Sequence, residues 1–264
     1  MINGLVKDIK IDLLKKYNLK NLNFIFNYQN KKLNLGNISL SLNNLSLFSD
    51  DVSVENINNY FLIGGNIEHK VINFSKENLN LFVKPFIKEL DIEKLKFSSN
   101  NTFSFKIKKK YQLDDLNINS KIFIDEISLI NNFKLKNLFP KIKNEILLKN
   151  NQLEFSFEPK KFSIKGGGKI LVQDQDDEIT YNIDHKNKIL NFKTALTIND
   201  NPFEIDFLNY RKIPKQKLLL NLQGQKKENN QILINLFSLN EKKNKIEIND
   251  LIFNDQMKIK DIKR

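Results

Sequence analysis

Two histidines, His69 and His185, are the residues with the clearest capacity for acid–base chemistry. A catalytic histidine needs a nucleophile or a carboxylate within hydrogen-bond reach. These two lie far apart in the chain among turn-forming polar residues. Neither of them neighbours a strained nucleophile elbow. The sequence Asp184-His185-Lys186-Asn187 predicts a hairpin tip. We interpret both histidines as surface turn residues and predict no catalytic residue and no enzymatic activity.

A glycine cluster, Gly166-Gly167-Gly168-Lys169, resembles part of a phosphate-binding loop. The full Walker pattern requires glycine where Ser163 stands, and serine or threonine where Ile170 stands. Both positions differ, so the phosphate-loop interpretation is rejected. Three glycines between two strand-like runs instead predict a bulge or a close approach of neighbouring backbones.

An acidic run is the remaining candidate for chemistry, because clustered carboxylates can bind Ca²⁺. The run lacks the central glycine of an EF-hand loop and the spaced glutamate that binds through both oxygens. The chain contains no cysteine, which excludes disulfides and thiolate-bound metals. We therefore predict a solvated turn, with no metal site and no cofactor. The run comprises Asp174, Asp176, Asp177 and Glu178.

The composition is strongly basic, with a formal net charge of +12. Such a charge can attract nucleic acid or anionic lipid headgroups. Lysines supply nearly all of it and are scattered singly, whereas nucleic-acid binders favour clustered arginine with stacking aromatics. Two interpretations remain open, a solvated surface shaped by codon bias and a functional basic face. We predict no nucleic-acid partner.

Alternation of apolar and polar residues is the dominant pattern of the chain, and it predicts β-strands with one dry and one wet face. Strand-like runs recur about every 10 to 14 residues between turns rich in Asn, Asp, Lys, Gly or Pro. This spacing is too short for crossover helices, so the sheet should be an antiparallel meander. The fold class predicted is all-β.

One segment departs from the alternation. From Leu79 to Leu90 the apolar residues fall at helical spacing, with Ser75 as a candidate N-cap and Pro85 inside the pattern. We predict one short helix near residues 76–90, kinked or shortened by the proline. The stretch Val6 to Tyr17 is compatible with a strand or a short helix.

The 21 phenylalanines recur on the alternating face, and that face has two interpretations. Two dry faces could cover each other in a closed β-sandwich. Alternatively, the sheet could curl into a trough whose dry face is covered by lipid chains. On the residue pattern alone, the sandwich is favoured.

The order of the segments reverses that preference. The chain runs through NLNFIFNYQNKKLNLGNISLSLNNLSLFSDDVSVEN, FLIGGNIEH, a helix-like stretch and FSSNNTFSFKIKKKYQLDDLNINSKIFIDEI. It continues with QLEFSFEPKKFSIKGGGKILV, EITYNIDHKNKILNFKTALTINDNPFEIDFLNY and EKKNKIEINDLIFNDQMKIKDIK. Together these segments resemble the middle of an AsmA-like protein of the YhdP type. The resemblance covers nearly the whole chain and is one of pattern rather than of a short motif.

The resemblance implies a repeating β-groove that moves phospholipid between the inner and outer membranes through the periplasm. Members of the family carry an N-terminal inner-membrane anchor that this sequence lacks, so a fragment of a longer protein is implied. Residues 1–264 would then form a single continuous groove-like region with the helical insert at about 76–90. The implied partners are phospholipid acyl chains, and the two membrane surfaces through parts of the protein outside this chain.

We therefore expect a non-catalytic lipid-binding segment, a long antiparallel meander curled into a groove. The alternative is a closed β-sandwich or β-solenoid that serves as a scaffold or surface protein without a lipid ligand. The residues expected to contact lipid are Phe103, Phe105, Phe155, Phe157, Phe162, Ile164, Ile170, Val172, Ile179, Tyr181, Ile183, Leu190, Phe192, Phe203, Ile205 and Phe207.

Overall fold

The computed structural model describes residues 1–13, 17–85, 90–132, 135–206, 209–227, 231–242, 244–253 and 259–262. Strands dominate these residues, as the alternating sequence predicts. The strands are β1 (Ile2–Leu13), β2 (Tyr17–Gln29), β3 (Lys32–Leu42), β4 (Leu45–Ile57), β5 (Tyr60–Asn73), β6 (Ile92–Lys108), β7 (Leu113–Ile130), β8 (Glu145–Glu158), β9 (Lys161–Leu171), β10 (Asp176–Lys186), β11 (Ile189–Ile198), β12 (Glu204–Ile205), β13 (Tyr210–Arg211), β14 (Leu218–Lys226), β15 (Ile232–Glu241), β16 (Asn244–Phe253) and β17 (Ile259–Ile262).

The strands pair almost entirely with their neighbours in sequence. One sheet of 15 strands runs in the order β1 to β11 and then β14 to β17. The remaining strands, β12 and β13, form a separate two-stranded sheet within the connection from β11 to β14. The strand pairs with a described register are antiparallel. The prediction of an all-β antiparallel meander is confirmed.

Asparagine and lysine form the hairpin turns because several of these turns require positive φ. Asn43 and Asn44, which interrupt the alternation in the sequence, have φ of 49° and 67° and connect paired residues Leu42 and Leu45. Two-residue turns with both residues left-handed match the twist of antiparallel strands. Asparagine tolerates this conformation better than most residues other than glycine.

The predicted helix is present and is shorter than expected. An α-helical turn, α1 (Lys76–Asn78), continues into a π-helical turn (Leu79–Val83). The Ser75 hydroxyl caps it by accepting a hydrogen bond of 3.2 Å from the Asn78 amide. Pro85 lies two residues after Val83, the last helical residue, which agrees with the tendency of proline to end helices. Residues 86–89, within the predicted range, lie outside the described residues.

The N-terminal stretch, for which the sequence left strand and helix open, is strand β1, paired with β2. Residues 14–16 of that stretch lie outside the described residues.

The chain divides into two compact units. Unit 1 comprises residues 1–73, 96–123 and 154–159, and unit 2 comprises residues 74–95, 124–153 and 160–264. The hydrophobic core cluster lies in unit 2. Its buried members are Phe139, Ile146, Val172, Ile198, Phe203, Ile205, Leu218 and Leu239.

Candidate functional site

One face of unit 2 is apolar along six strands, from β9 to β11 and from β14 to β16. Residues directly opposite each other in an antiparallel pair project to the same side of the sheet, so the register defines the face. Tyr181 is opposite Gly166 and Thr194, and Thr194 is opposite Leu222. We call this surface the apolar face. Its apolar members are Phe162, Ile164, Ile170, Ile179, Tyr181, Ile183, Leu190, Phe192, Leu196, Ile198, Leu218, Leu220, Leu222, Ile232, Ile234, Phe237, Leu239, Ile246, Ile248, Leu251 and Phe253.

Glycines on this face permit close contact between backbone and neighbouring side chains. A Cβ atom on Gly166 would lie 2.7 Å from the Leu153 Cβ, and one on Gly168 would lie 2.6 Å from the Asn151 Cα. On β14, a Cβ on Gly224 would lie 2.8 Å from the ring of Phe192 on the neighbouring strand. The close-approach interpretation of the glycine cluster is therefore confirmed.

The apolar face is covered by protein at one end. Ile198, Leu218 and Leu239 have 0% exposure there. They belong to the same core cluster as Phe139 and Phe203, whose rings meet edge to face with centroids 5.3 Å apart. We call residues 135–142 and 199–213 the cap, of which 207–208 lie outside the described residues. The cap gives this end of the face a closed hydrophobic core.

Buried polar side chains of the sheet edge bind the backbone of the cap. The Gln173 side chain accepts a hydrogen bond from the Lys141 amide at 2.9 Å and donates one to the Pro202 carbonyl at 2.8 Å. The Asp177 carboxylate accepts from the Asn199 amide at 3.0 Å and from the Asn201 side-chain amide at 2.8 Å. Because buried polar groups are costly without partners, these bonds specify where the cap sits.

A second buried carboxylate, Glu241, binds the far part of the cap. It accepts hydrogen bonds from the Tyr210 hydroxyl at 3.0 Å and from the Ile213 amide at 2.8 Å. Burial, together with the hydrogen bond to Glu241, raises the pKa of the Tyr210 hydroxyl well above its usual range. Tyr210 therefore stays protonated as a hydrogen-bond donor throughout the physiological range.

Asp177 should give the protein a characteristic pH dependence. Burial raises the pKa of its carboxyl, although hydrogen bonds from Asn199 and Asn201 oppose that shift. The native state then holds the proton more tightly than the unfolded chain does. The contribution of Asp177 to stability therefore increases as pH falls through the raised pKa and decreases as pH rises through it.

We predict that, as the pH is lowered from about 7 to about 4, the free energy of unfolding of wild type increases relative to that of Asp177→Asn. Urea unfolding of both proteins across this range measures the difference. The exposed Asp174→Asn variant is the control, and its difference from wild type should change less. A difference between wild type and Asp177→Asn that is constant, or that shrinks on acidification, would contradict the prediction.

Away from the cap, most side chains of the apolar face are only half-buried. Ile183 and Phe192, directly opposite each other on β10 and β11, are both of intermediate exposure. Leu222 is 37% exposed, whereas Leu218, four residues earlier on the same face of the same strand, is fully buried. Burial raises the pKa of the Tyr181 hydroxyl, which lies between the two ends. On β14 exposure thus increases from the capped end to the other end of the face, which we call the uncapped end; Ile234 on β15, at 7% exposure, is buried near that end.

Unit 1 contains a related apolar surface on its own strands. Phe103 and Phe105 lie on one face of β6, half-buried, with ring centroids 5.9 Å apart. Their partners across β5 are Gly65 and Ile63. An aromatic ring opposite a glycine, Phe103 opposite Gly65, therefore occurs in this unit as well.

The structure brings half of the predicted lipid-contacting residues onto one face and separates others from it. Phe155 and Phe157 lie in β8, within unit 1, and are half-buried. Phe207 lies outside the described residues. The residues that share the apolar face of unit 2 are Phe162, Ile164, Ile170, Ile179, Tyr181, Ile183, Leu190 and Phe192.

Val172, Phe203 and Ile205 require a correction, because they lie inside the core of unit 2. Their exposures are 5%, 3% and 2%, so protein covers them. Val172 follows the end of β9, and the alternating run from Phe203 forms only the two-residue strand β12 within the cap. We therefore exclude these three residues from the candidate surface.

The turn interpretations also change. His185 lies within β10, half-buried, and its ring stacks on Phe162 at 5.0 Å between centroids. His69 lies within β5 and meets the Phe97 ring edge to face at 4.4 Å.

Asp177, predicted to be solvated with its acidic neighbours, is fully buried. The sequence did not predict that Asp177 and Glu241 accept hydrogen bonds from the cap, because an acidic side chain beside a turn is usually exposed to solvent.

Among the described residues, no group of three or more His, Asp or Glu side chains is arranged to hold a metal ion. Within the same residues, no helix has the length and apolarity needed to cross a membrane. Comparisons with protein-family models, with curated proteins and with solved structures found no match to this chain.

Proposed function

We propose that this chain is a non-catalytic lipid-binding segment whose apolar face contacts the acyl chains of phospholipid. The observation that carries the proposal is the in-register apolar face of unit 2, half-buried toward its uncapped end. Large contiguous apolar surfaces are uncommon on soluble proteins unless they bind something. Acyl chains are one occupant that such a face can take without polar contacts.

The magnitude of the hydrophobic effect supports this role. Removing a methylene from water is worth about 0.8 kcal/mol, so a chain of about 16 carbons gains on the order of 12 kcal/mol. The face from Ile179 to Leu222 is built of aliphatic and aromatic side chains that can replace that water. Because apolar contacts are not directional, a bound chain could move along the face from strand to strand.

The segment order, which resembles AsmA-like proteins of the YhdP type, also supports the proposal. On this basis we propose phospholipid transport between the inner and outer membranes as the biological role, with a periplasmic location and a membrane anchor elsewhere in a longer protein. The closed core beneath the cap favours the second candidate, a scaffold or surface protein without a lipid ligand. The half-buried remainder of the face favours lipid.

Photocrosslinking distinguishes these two functions. A photoreactive amino acid at Phe192, on the uncapped end of the face, is expected to crosslink to phospholipid that co-purifies with the protein. The same amino acid at Lys193, the next residue on the opposite face, should crosslink far less, because successive strand residues project to opposite sides. Mass spectrometry of the adducts identifies the lipid.

Phe203, which is buried within the cap, provides a second control because it should not reach lipid. The lipid proposal is contradicted if purified protein carries no lipid, or if positions 192 and 193 crosslink equally. Crosslinks from 192 to protein alone would support the scaffold function.

A further inference from the structure

The edge of unit 2 at the uncapped end is lined by lysines. The hairpin turns before β9, between β10 and β11, and after β14 all fall on this edge, because antiparallel strands return their alternate turns to the same side. Asn187 and Lys188 form the middle turn in left-handed conformations. We call this the basic edge. Its lysines are Lys160, Lys161, Lys186, Lys188, Lys226 and Lys227.

At the uncapped end of the apolar face, polar side chains lie directly beside apolar ones. Leu190 is opposite both His185 and Lys226, and Lys226 is in turn opposite Ile232. The His185 ring stacks on Phe162 with 12° between the planes. A cation and an imidazole therefore project from the same side of the sheet as the apolar residues, at the end where those residues are half-buried.

Two lysines at the capped end lie close to carboxylates. Lys141 pairs with Asp174 at 3.3 Å, and Lys169 lies 3.8 Å from Asp176. Within the part of the chain that the structure describes, Lys160, Lys186, Lys226 and Lys227 form no salt bridge. Lys141 and Lys169 are therefore paired with carboxylates near the cap, whereas, among the described residues, these four lysines of the basic edge are not.

Acidic residues near the basic edge are few in the described part of unit 2. Asp184 is opposite Asn191 and Ser163, which places it on the face opposite to the apolar one. Glu158, the last residue of β8, precedes the turn that carries Lys160, and Glu228 lies outside the described residues. The local excess of positive charge therefore coincides with the uncapped end of the apolar face.

We infer that the basic edge binds the phosphate group of an anionic phospholipid whose acyl chains lie on the apolar face. The inference rests on the proposed function and adds the orientation and headgroup class of the ligand. The headgroup lies beside His185 and Lys226, and the chains extend toward the cap. A lysine placed between a leucine and an isoleucine, as Lys226 is between Leu190 and Ile232, suits the boundary between a phosphate and its hydrocarbon.

The test compares lipids with the same acyl chains, phosphatidic acid and phosphatidylglycerol on one side and diacylglycerol on the other, so that the anionic phosphate is what the first two share and the third lacks. The full chain is incubated with each lipid in detergent micelles, re-isolated and analysed for bound lipid by mass spectrometry. Wild type should prefer the two anionic lipids, and the preference should weaken at high salt because exposed charges are screened. In Lys226→Gln, which removes the lysine that shares the side of the apolar face, the preference should fall about fivefold.

The matched control is Lys193→Gln, which removes the same charge from an exposed position on the opposite face. It should leave the preference within about twofold of wild type. Equal retention of the anionic lipids and diacylglycerol by wild type, or an equal change in the two variants, would overturn the headgroup inference and leave the apolar face as a lipid site. Retention of none of these lipids by wild type would overturn the proposed function and this inference with it.

Discussion

Leu218→Ala is expected to lower the free energy of unfolding by about 2 to 5 kcal/mol. Leu218 is fully buried in the core cluster beneath the cap. Truncation removes its contacts with residues such as Ile198 and leaves a cavity that the hydrogen-bonded cap cannot easily fill. The measurement is urea unfolding of the full chain, followed by circular dichroism.

Leu222→Ala is the matched control, since it makes the same change on the same face of the same strand. Leu222 is 37% exposed, so we expect a cost below about 1 kcal/mol. Similar losses at 218 and 222 would show that the apolar face is covered equally at both ends. The scaffold function would then be preferred over lipid binding.

Gly65→Ala is expected to lower the free energy of unfolding by about 1 to 3 kcal/mol. A Cβ at this position would lie 2.5 Å from the Asp51 carbonyl oxygen and 2.9 Å from the Val52 Cα. Both are backbone atoms of the neighbouring strand β4, so the clash cannot be relieved by rotation of a side chain. The strands would have to separate, which weakens their hydrogen bonds.

The adjacent glycine is expected to respond in the opposite direction. A Cβ on Gly64 would be 3.4 Å from its nearest neighbour, the Phe103 carbonyl oxygen, which is an ordinary contact. Gly64→Ala should therefore raise stability by about 0.4 to 1 kcal/mol, through the reduced entropy of the unfolded chain. Thermal unfolding of the two variants beside wild type provides the comparison, and a loss at 64 as large as that at 65 would contradict it.

The strands and most turns of this fold were predictable because their signal is local. Period-two alternation and asparagine-rich turns require only neighbouring residues, and Asn43 with Asn44 illustrates how a break in phase identifies a hairpin. The apolar face between Phe162 and Phe192 was predictable for the same reason. Antiparallel pairing across two-residue turns then brings the apolar positions of consecutive strands into register.

The cap was not predictable because it depends on contacts between distant segments. Phe203 and Ile205 alternate like strand residues, yet they pack with Phe139, over 60 positions earlier in the sequence. Nothing local distinguishes an apolar residue covered by protein from one covered by lipid. Asp177 was misinterpreted in the same way, since its partners Asn199 and Asn201 lie on a different connection.

Irregular pairing was the other obstacle. Ile232, Ile234 and Leu236 alternate in the sequence as if they shared one face. In the structure Ile234 is opposite Gly224 while Leu236 is opposite Gln223, so one extra residue in β15 moves Leu236 to the other side. A β-bulge of this kind reverses the face of all later residues in the strand and has no clear signal in the local sequence.

The strict succession of neighbouring strands gives this architecture a modular length. A hairpin bonds only to the strand before it and the strand after it, so duplicating or deleting one pair leaves every other ladder intact. Each such event would widen or narrow the sheet by about 9.6 Å, which is two strand spacings. The distance that such a sheet can span is thus a quantity that gene duplication can adjust in uniform steps.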